Sequence, residues 1–181
     1  RLLNLELETS PTMHAIERYT GTLFEALDFQ SLSPEAKQRA GERVLIQSAL
    51  FGLTPALEHI PNYRLSSDSA LPGISLKKLW PTAHEAVWPR LVHPILDMRS
   101  KDYVQLAPIP ESIESYYVEV LDAKSGKALN HFNKKAKGVL ARAAINEKLA
   151  HISELPKIAK TVNLTVEVDG RLVVAFVPEH F

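Results

Sequence analysis

The stretch that decides the fold class is Leu-Thr-Val-Glu-Val-Asp-Gly-Arg-Leu-Val-Val-Ala-Phe, residues 164–176. Apolar and polar side chains alternate before Asp169-Gly170, a dipeptide that tight β-turns favour, and an apolar, β-branched run follows it. The stretch therefore predicts an antiparallel hairpin close to the end of the sequence.

Further strands are predicted upstream of this hairpin. The run at 116–121 is apolar and β-branched, and a turn over 123–127 predicts a returning strand over 128–132. Two shorter apolar runs, at 44–51 and 94–98, are typical of buried strands, and Gly52 ends the first of them.

Helical signals alternate with these strands. Apolar spacing predicts helix over 11–19 and over 22–28. Ser33-Pro34 is a favourable start for a helix that ends at Glu42 or Arg43, since Ser caps well and Pro suits the first helical position. The pattern over 75–91 is helical but interrupted by two prolines.

A long helix is predicted after Asn133, which serves as its cap. Residues 53–74 hold three prolines and predict an extended loop. Strand–helix units mixed with hairpins indicate a mixed α/β (α+β) fold, and 181 residues with 45% hydrophobic content fit a single domain over 1–181.

Composition excludes several classes of site. Lys plus Arg and Asp plus Glu both number 21, so a basic surface for a polyanion has to come from local clustering. The sequence has no cysteine, which excludes disulfides, thiolate catalysis and cysteine-held metals and fits a cytoplasmic location. The longest apolar runs are too short to span a membrane. The first residues carry acids and no apolar core, unlike a signal peptide.

The predicted last long helix begins with a basic run. Lys134, Lys135 and Lys137 fall in its first turns, and Arg142 lies two turns after Lys135. Free N–H groups at a helix start favour anions, and added lysines strengthen that preference, so a phosphate is the expected guest. A solvated basic face is the alternative. Gly138 on this face leaves room for a ligand or for another backbone.

Tyr63 and Arg64 follow the proline-rich loop. Arg offers a planar fork for phosphate or carboxylate, and Tyr can stack on a base. Equally, Arg64 can pin the loop through a buried carboxylate or backbone carbonyls. These two interpretations stay open from the sequence.

Ser100, Asp102 and Tyr103 come directly after the strand at 94–98, where α/β folds often present site residues. Ser100 or Asp102 is also a plain helix cap. The seven histidines show neither the i, i+4 pair nor any other known metal pattern, so no metal site and no cofactor are predicted.

Ordered blocks of sequence resemble the YaaA family of bacterial peroxide-stress proteins. Tyr19-Thr20-Gly21 is similar to the family's YTG block. Residues 48–55 and 60–65 are similar to its SGLYG-L-x-P and P-Y-R-L segments, and residues 133–142 to its AKKARG-x-M-x-R. Asp97 to Tyr103 stands where the family has N-L-A-S-x-E-Y, with Asp97 and Arg99 departing from it.

This resemblance implies a cytoplasmic protein that limits damage from hydrogen peroxide by lowering free intracellular iron. It implies a mixed α/β fold with a basic cleft that binds DNA. It also implies that the family's N-terminal segment is missing from this sequence. The ordered blocks converge on a set of candidate ligand residues: Tyr19, Ser48, Tyr63, Arg64, Ser100, Asp102, Tyr103, Lys134, Lys135, Lys137 and Arg142.

Three functions follow as hypotheses. The first is a non-enzymatic stress protein that binds DNA or a phosphate-bearing small molecule. The second is an enzyme acting on a nucleotide or nucleobase, with Asp97 or Asp102 as acid or base and the lysines as phosphate anchors. The third is an interaction protein without a small ligand. Catalytic residues and oligomeric state are left open.

Overall fold

The computed structural model describes residues 2–128, 131–179 and 181. The α-helices are α1 (Ala15–Arg18), α2 (Thr22–Leu27), α3 (Pro34–Arg43), α4 (Leu76–His84), α5 (Lys101–Leu106), α6 (His131–Asn146) and α7 (Leu155–Lys160). The strands are β1 (Thr12–His14), β2 (Leu45–Ser48), β3 (Gly52–Pro55), β4 (His59–Pro61), β5 (Ile95–Asp97), β6 (Ser115–Asp122), β7 (Thr165–Asp169) and β8 (Leu172–Val177). Short 3-10 helices cover Leu2–Leu5, Phe29–Ser31, Trp88–Arg90 and Ile152–Glu154. The predicted mixed α/β class is confirmed.

The chain forms two compact units. The first takes residues up to 19 together with 41–92 and 99–113, and the second takes 20–40, 93–98 and 114 onward. The prediction of one domain over 1–181 stays a prediction. Each unit is described by itself below.

The first unit contains two antiparallel strand pairs, β1 with β4 and β2 with β3. The predicted helix over 11–19 is wrong in its first half. Residues 12–14 pair with 59–61, and only Ala15–Arg18 is helical. Local spacing cannot reveal a strand whose partner lies more than forty residues away.

The predicted strand at 44–51 is shorter than expected. β2 ends at Ser48, the chain turns, and Gly52 opens β3 rather than closing the strand. Gly52 has φ +74°, and a Cβ there would lie 2.6 Å from the Trp80 ring, so only glycine fits. The predicted loop over 53–74 therefore contains β3 and β4, and residues 62–70 carry neither helix nor strand.

The two prolines predicted to interrupt residues 75–91 act differently. α4 runs through Pro81, while Pro89 lies in the separate 3-10 turn Trp88–Arg90. Trp88 is buried and Trp80 packs against the apolar cluster of Ala49, Leu76 and Leu106, as expected for core residues.

The second unit is built on a four-stranded sheet in the order β5-β6-β8-β7. β6 is parallel to both neighbours, and β7 is antiparallel to β8. Val118, Val120 and Val173 of the sheet meet Leu140 of α6 and Leu155 of α7 in the core, where each side chain is at most 1% exposed. Burying each such side chain stabilises the fold by about 1.5–3 kcal/mol.

The hairpin at 164–176 is confirmed, with its loop one residue later than predicted. Asp169 pairs with Leu172, so the two-residue loop is Gly170-Arg171, and Gly170 has φ +55°. The strands at 94–98 and 116–121 and the helices at 22–28 and from Pro34 are also confirmed. Ser33 Oγ accepts the Ala36 N–H, as the predicted cap requires.

The predicted returning strand over 128–132 is wrong for the residues that the structure describes there. Ala128 makes one isolated bridge to Leu121, residues 129 and 130 lie outside the described part, and α6 has begun by His131. Asn133 is therefore inside α6 and does not cap it. A short polar stretch before a helix leaves too few residues for a second strand.

Candidate functional site

A cavity of about 580 Å³ opens in the first unit. Two guanidinium side chains line it, those of Arg18 and Arg64, and no carboxylate does so among the described residues. A concave site of this volume is of the size that small molecules occupy. The two guanidinium groups favour an anion, and the Asp68 carboxylate, which accepts a hydrogen bond from the lining Ser66 hydroxyl, opposes one.

Arg64 is fixed by its backbone and not by its side chain. The Asn4 side chain donates from Nδ2 to the Arg64 carbonyl and accepts the Arg64 N–H at Oδ1, each over 2.9 Å. The exposed guanidinium makes no hydrogen bond or ion pair to any described residue. The loop is held through the Arg64 backbone and not through its side chain, as one of the two interpretations from the sequence had it. The Arg64 guanidinium is left available to an anion.

Arg18 is the second cation of the cavity. It ends α1, and its Nη2 donates to the carbonyls of Pro11 and Ile60 over 3.0 and 3.5 Å. These two bonds fix the guanidinium plane. Nη1 donates to none of the described residues, and the buried Nε also has no partner among them. Arg18 was not predicted from the sequence, although it directly precedes the Tyr19-Thr20-Gly21 block.

Three hydroxyl groups form a chain from the core of the unit to the cavity. Ser48 Oγ lies 2.6 Å from Tyr63 Oη, which lies 2.7 Å from Tyr19 Oη. Ser48 is fully buried, whereas Tyr63 and Tyr19 line the cavity. Three of the predicted site residues are thus brought together directly.

The direction of this chain follows from the backbone. Ser48 Oγ accepts the N–H groups of Leu50 and Phe51 over 3.0 and 2.9 Å, which occupies both of its lone pairs. Its own proton is then donated to Tyr63, which leaves the Tyr63 proton available to Tyr19 Oη.

Burial keeps two tyrosines of the cavity in the neutral form. It raises the pKa of the Tyr63 phenol well above the ordinary value, and the bond that Tyr63 donates to Tyr19 adds to this, while the bond from Ser48 opposes it. Burial also raises the pKa of Tyr103, with smaller contributions from Tyr63 and Asp68. Neutral phenols add no negative charge that would repel an anion.

Small polar side chains complete the lining. Ser66 and Ser69 are joined through their hydroxyls over 3.1 Å, and Asn62 lies at the start of the same segment. The sequence analysis missed all three. Their position beside Tyr63-Arg64-Leu65 is the signal that could have found them.

Ser100 and Asp102 do not line this cavity. Both are exposed at the start of α5, where Ser100 holds the cap position but makes no capping hydrogen bond with its side chain. Tyr103, one residue further, does line the cavity and packs on the apolar cluster of the unit. The helical step between neighbouring residues explains why only one of them reaches it.

Arg99 has a structural role in the first unit. It donates to the carbonyl of Ala107 over 2.8 Å and to Gln47 Oε1 over 3.3 Å, and its guanidinium lies 5.6 Å from the Trp88 ring centroid. These contacts tie the segment after β5 to its neighbours in the unit.

The basic run on α6 belongs to the second unit. Lys134 is exposed, and Lys135 lies 5.0 Å from the centroid of the Phe181 ring. Lys137 is only 3% exposed and lies 4.8 Å from the Tyr117 ring centroid. The three lysines therefore occupy three different environments, and Lys134 is the one that resembles a solvated surface cation.

Arg142 and Gly138 serve the packing of α6 on α2. Arg142 Nη1 donates to the carbonyls of Leu27 and Asp28 over 2.8 and 2.7 Å, and Nη2 donates to Ser31 Oγ. A Cβ at Gly138 would lie 2.2 Å from the Leu23 carbonyl oxygen. The space at Gly138 is thus filled by another backbone, one of the two possibilities that the sequence left open.

The remaining candidate acid, Asp97, ends β5 in the second unit and is 7% exposed. Within the described ranges, no group of three or more His, Asp or Glu side chains is placed to hold a metal ion. The same part of the chain contains no helix long and apolar enough to cross a membrane.

Comparison with known proteins supports the resemblance seen in the sequence. The family described as "Peroxide stress protein YaaA" matches residues 1–167. The chain belongs to this family.

Relatives of this YaaA-family chain include several UPF0246 proteins. One from Corynebacterium glutamicum is 42% identical over 171 residues, covering 91% of this chain and 68% of the relative. One from Corynebacterium efficiens is 37% identical over 176 residues, covering 93% and 70%. One from Streptomyces coelicolor is 37% identical over 147 residues, covering 78% and 56%.

The predicted site residues fall into three groups by their place in the structure. In this YaaA-family chain Tyr19, Tyr63, Arg64 and Tyr103 line one cavity of the first unit, and the buried Ser48 is joined to it through Tyr63. Ser100 and Asp102 lie in the same unit away from its lining, and the α6 residues lie in the second unit.

Proposed function

We propose that this chain acts in the response to hydrogen peroxide as a protein that binds a phosphate-bearing ligand in the cavity of its first unit. The cytoplasm is the proposed location, and a lowering of free intracellular iron is the proposed outcome. Family membership suggests this setting. The main observation in support of an anionic ligand is that Arg18 and Arg64 line the cavity, while no Asp or Glu side chain of the described residues lines it.

Arginine is suited to this role because its planar fork matches phosphate oxygens in pairs. Arg18 is held in place by two carbonyls, and Arg64 by its own clamped backbone. Side chains that are positioned before the ligand arrives lose less conformational freedom on binding. The Arg18 guanidinium and the main chain at Arg64 are therefore positioned before an anion arrives, and only the Arg64 side chain has to be ordered by it.

The test uses inorganic pyrophosphate and isothermal titration calorimetry. Arg64→Ala should weaken binding about tenfold or more, since hydrogen bonds to charged groups are worth about 1.5–3 kcal/mol. Arg90→Ala is the matched control, because Arg90 is an exposed arginine of the same unit outside the cavity. Equal losses in both variants, or none in either, would contradict the proposal.

DNA binding is proposed separately, through the basic run of α6 in the second unit and not through the cavity. Lys134 offers an exposed cation on α6, so Lys134→Glu should weaken binding of short duplex DNA and flatten its salt dependence. Lys137 is unsuitable for this test because its burial makes a charge reversal there a folding defect. Unchanged affinity and salt slope in Lys134→Glu would remove α6 from the DNA hypothesis.

A second candidate is an enzyme that acts on a nucleotide or nucleobase. The observation that favours it is the directed hydroxyl chain from Ser48 through Tyr63 to Tyr19, which brings ordered proton donors to the cavity. Incubation with AMP followed by chromatography tests it. A new product that forms with the native chain and not with Tyr63→Phe would support this candidate.

The role in iron control is tested in cells. A strain that lacks the protein should show more chelatable iron and lower survival after a peroxide pulse than its parent. Complementation with Arg64→Ala should restore neither, whereas Arg90→Ala should restore both. Restoration by Arg64→Ala would separate the stress function from the cavity.

A further inference from the structure

The cavity joins a cationic side to an aromatic side. Arg18 and Arg64 supply guanidinium groups, while Tyr19, Tyr63 and Tyr103 supply three phenol rings. Binding of inorganic phosphate would need only the cationic side. A lining that combines both kinds of side chain suits a ligand that carries a charged group and a flat ring.

The aromatic side is held rigidly. The rings of Tyr63 and Tyr19 meet edge to face with centroids 6.3 Å apart, and Phe51 packs on Tyr63 in the same manner at 5.2 Å. Their hydroxyls are joined in the chain that starts at Ser48. Rigid aromatic side chains give contact area at low entropic cost, which favours stacking of a ring on them.

The polar side chains of the lining match a sugar or a ring edge. Asn62 offers a donor and an acceptor, and the Ser66 and Ser69 hydroxyls follow Arg64 in the same segment of the lining. Such groups set the orientation and specificity of a ligand in sites of this kind.

We infer that the cavity takes a nucleoside monophosphate, or a ligand of the same chemistry in which a heteroaromatic ring and a phosphate are joined through a sugar. This inference rests on the proposed function. Arg18 Nη1 and the Arg64 fork bind the phosphate, the phenol rings bind the base, and the hydroxyls meet the sugar. A volume of about 580 Å³ lies within the range of small-molecule sites.

Duplex DNA fits this lining poorly. The faces of paired bases are covered by their neighbours in the stack, so they become available to tyrosine rings only when a nucleotide leaves the helix. The aromatic side of the cavity would then contribute nothing to duplex binding. A free nucleotide presents its ring face without that unstacking cost.

Calorimetry with four probes tests the inference on the native chain: AMP, ribose 5-phosphate, adenosine and a short DNA duplex. AMP should bind about tenfold or more tightly than ribose 5-phosphate, because stacking of one base is worth about 1–3 kcal/mol. AMP should also bind about tenfold or more tightly than adenosine, which lacks the charge for the arginines.

Two variants assign these differences to the two sides of the cavity. Tyr103→Leu should weaken the binding of AMP and leave the binding of ribose 5-phosphate unchanged. Arg64→Ala should weaken the binding of both compounds. Arg90→Ala should weaken neither. Folding of each variant is checked by circular dichroism, and the comparison of probes on the native chain stands even if Tyr103→Leu does not fold.

The outcomes separate this inference from the proposed function. If ribose 5-phosphate or the duplex binds as well as AMP and depends on Arg64, the inference is wrong and the phosphate site stands. If adenosine binds as tightly as AMP, or if the binding of no phosphate compound depends on Arg64, both the inference and the proposed function are wrong. Tighter AMP binding that depends on Arg64 and Tyr103 supports both.

Discussion

Asn4 holds the backbone of Arg64 from both directions, with two hydrogen bonds of 2.9 Å between one side-chain amide and the N–H and C=O of the same residue. This arrangement imitates the bonding of a neighbouring strand. It positions the arginine of the cavity without using its guanidinium. The main chain at Arg64 is therefore ordered by a residue sixty positions earlier.

Asn4→Ala should loosen the cavity without altering its charge. Two hydrogen bonds worth about 0.5–1.5 kcal/mol each sum to about 1–3 kcal/mol, so pyrophosphate affinity should fall by about fivefold to at most about a hundredfold. Hydrogen exchange at the amide of Arg64 should rise. Gln105→Ala, an exposed amide on α5, is the control that should change neither. Unchanged exchange in Asn4→Ala would refute the clamp.

Gly138→Ala should destabilise the second unit although alanine usually favours a helix. The added Cβ would lie 2.2 Å from the Leu23 carbonyl oxygen and 2.8 Å from Ala26 Cβ, so α2 and α6 must separate. Overpacking of this kind costs about 1–3 kcal/mol, which exceeds the gain of about 1 kcal/mol in helix propensity. Urea unfolding followed by circular dichroism measures the change.

Gly41→Ala on α3 is the matched control for that substitution. Its Cβ would meet only the end of the Leu57 side chain, which is 37% exposed and can move aside. We expect little change or a small gain in the free energy of unfolding. A similar large loss in both variants would show that backbone contact is not the deciding factor.

Arg142→Lys separates charge from geometry on α6. Lysine keeps the positive charge but cannot donate at once to the carbonyls of Leu27 and Asp28 and to Ser31 Oγ. The free energy of unfolding should fall by about 1–2 kcal/mol, while affinity for duplex DNA should stay unchanged. Weaker DNA binding with unchanged stability would assign Arg142 to the ligand instead.

Ser48 and Tyr63 should be strongly coupled in stability. Ser48→Ala leaves the N–H groups of Leu50 and Phe51 and the Tyr63 hydroxyl without their partner, at a cost of about 1–3 kcal/mol. Tyr63→Phe removes the acceptor of the Ser48 proton. A double-mutant cycle should give a coupling of about 0.5 kcal/mol or more, and additive losses would contradict the hydroxyl chain.

His84 should make the stability of the protein depend on acid pH. Its ring is 3% exposed, lies between Trp80 and Trp88, and accepts the Leu53 N–H at Nε2 over 3.2 Å. Burial, with a smaller contribution from Arg99, holds the pKa of His84 below its ordinary value of 6.5.

Because the folded pKa is the lower one, the unfolded chain takes up the proton first. The stability is fully present above pH 6.5 and is lost as the pH falls from there through the folded pKa. His84→Gln should flatten this part of the pH dependence, while His93→Gln, at an exposed histidine, should not. Urea midpoints measured across acid pH distinguish the two variants.

Much of the secondary structure could be predicted because its signals are local. The turn dipeptide Asp169-Gly170, which placed the loop within one residue of its position at Gly170-Arg171, and the cap at Ser33 each lie next to the element that they define. β1 could not be predicted, since residues 12–14 become a strand only by pairing with 59–61. The helix that includes His131 was not predicted, because residues 128–132 follow a turn and fit a returning strand as well as a helix by local pattern.

The candidate site was predictable where a side chain belongs to a distinctive block, as for Tyr63 and Arg64. A site residue was not predictable where the direction of its side chain depends on its position around a helix. Arg18, one residue before the recognised block, lines the cavity, whereas Asp102, one residue before Tyr103, does not. The roles of Gly138 and Arg142 required knowledge of α2, more than a hundred residues earlier.

The two compact units are assembled from six alternating stretches of chain, three to each unit. Neither can be cut out as one continuous piece of polypeptide. During synthesis the first unit cannot be completed before residue 113 has emerged, and the second has to wait for its final hairpin, although it begins at residue 20. A premature stop within the last sixty residues should therefore leave the early segments of the second unit without their sheet.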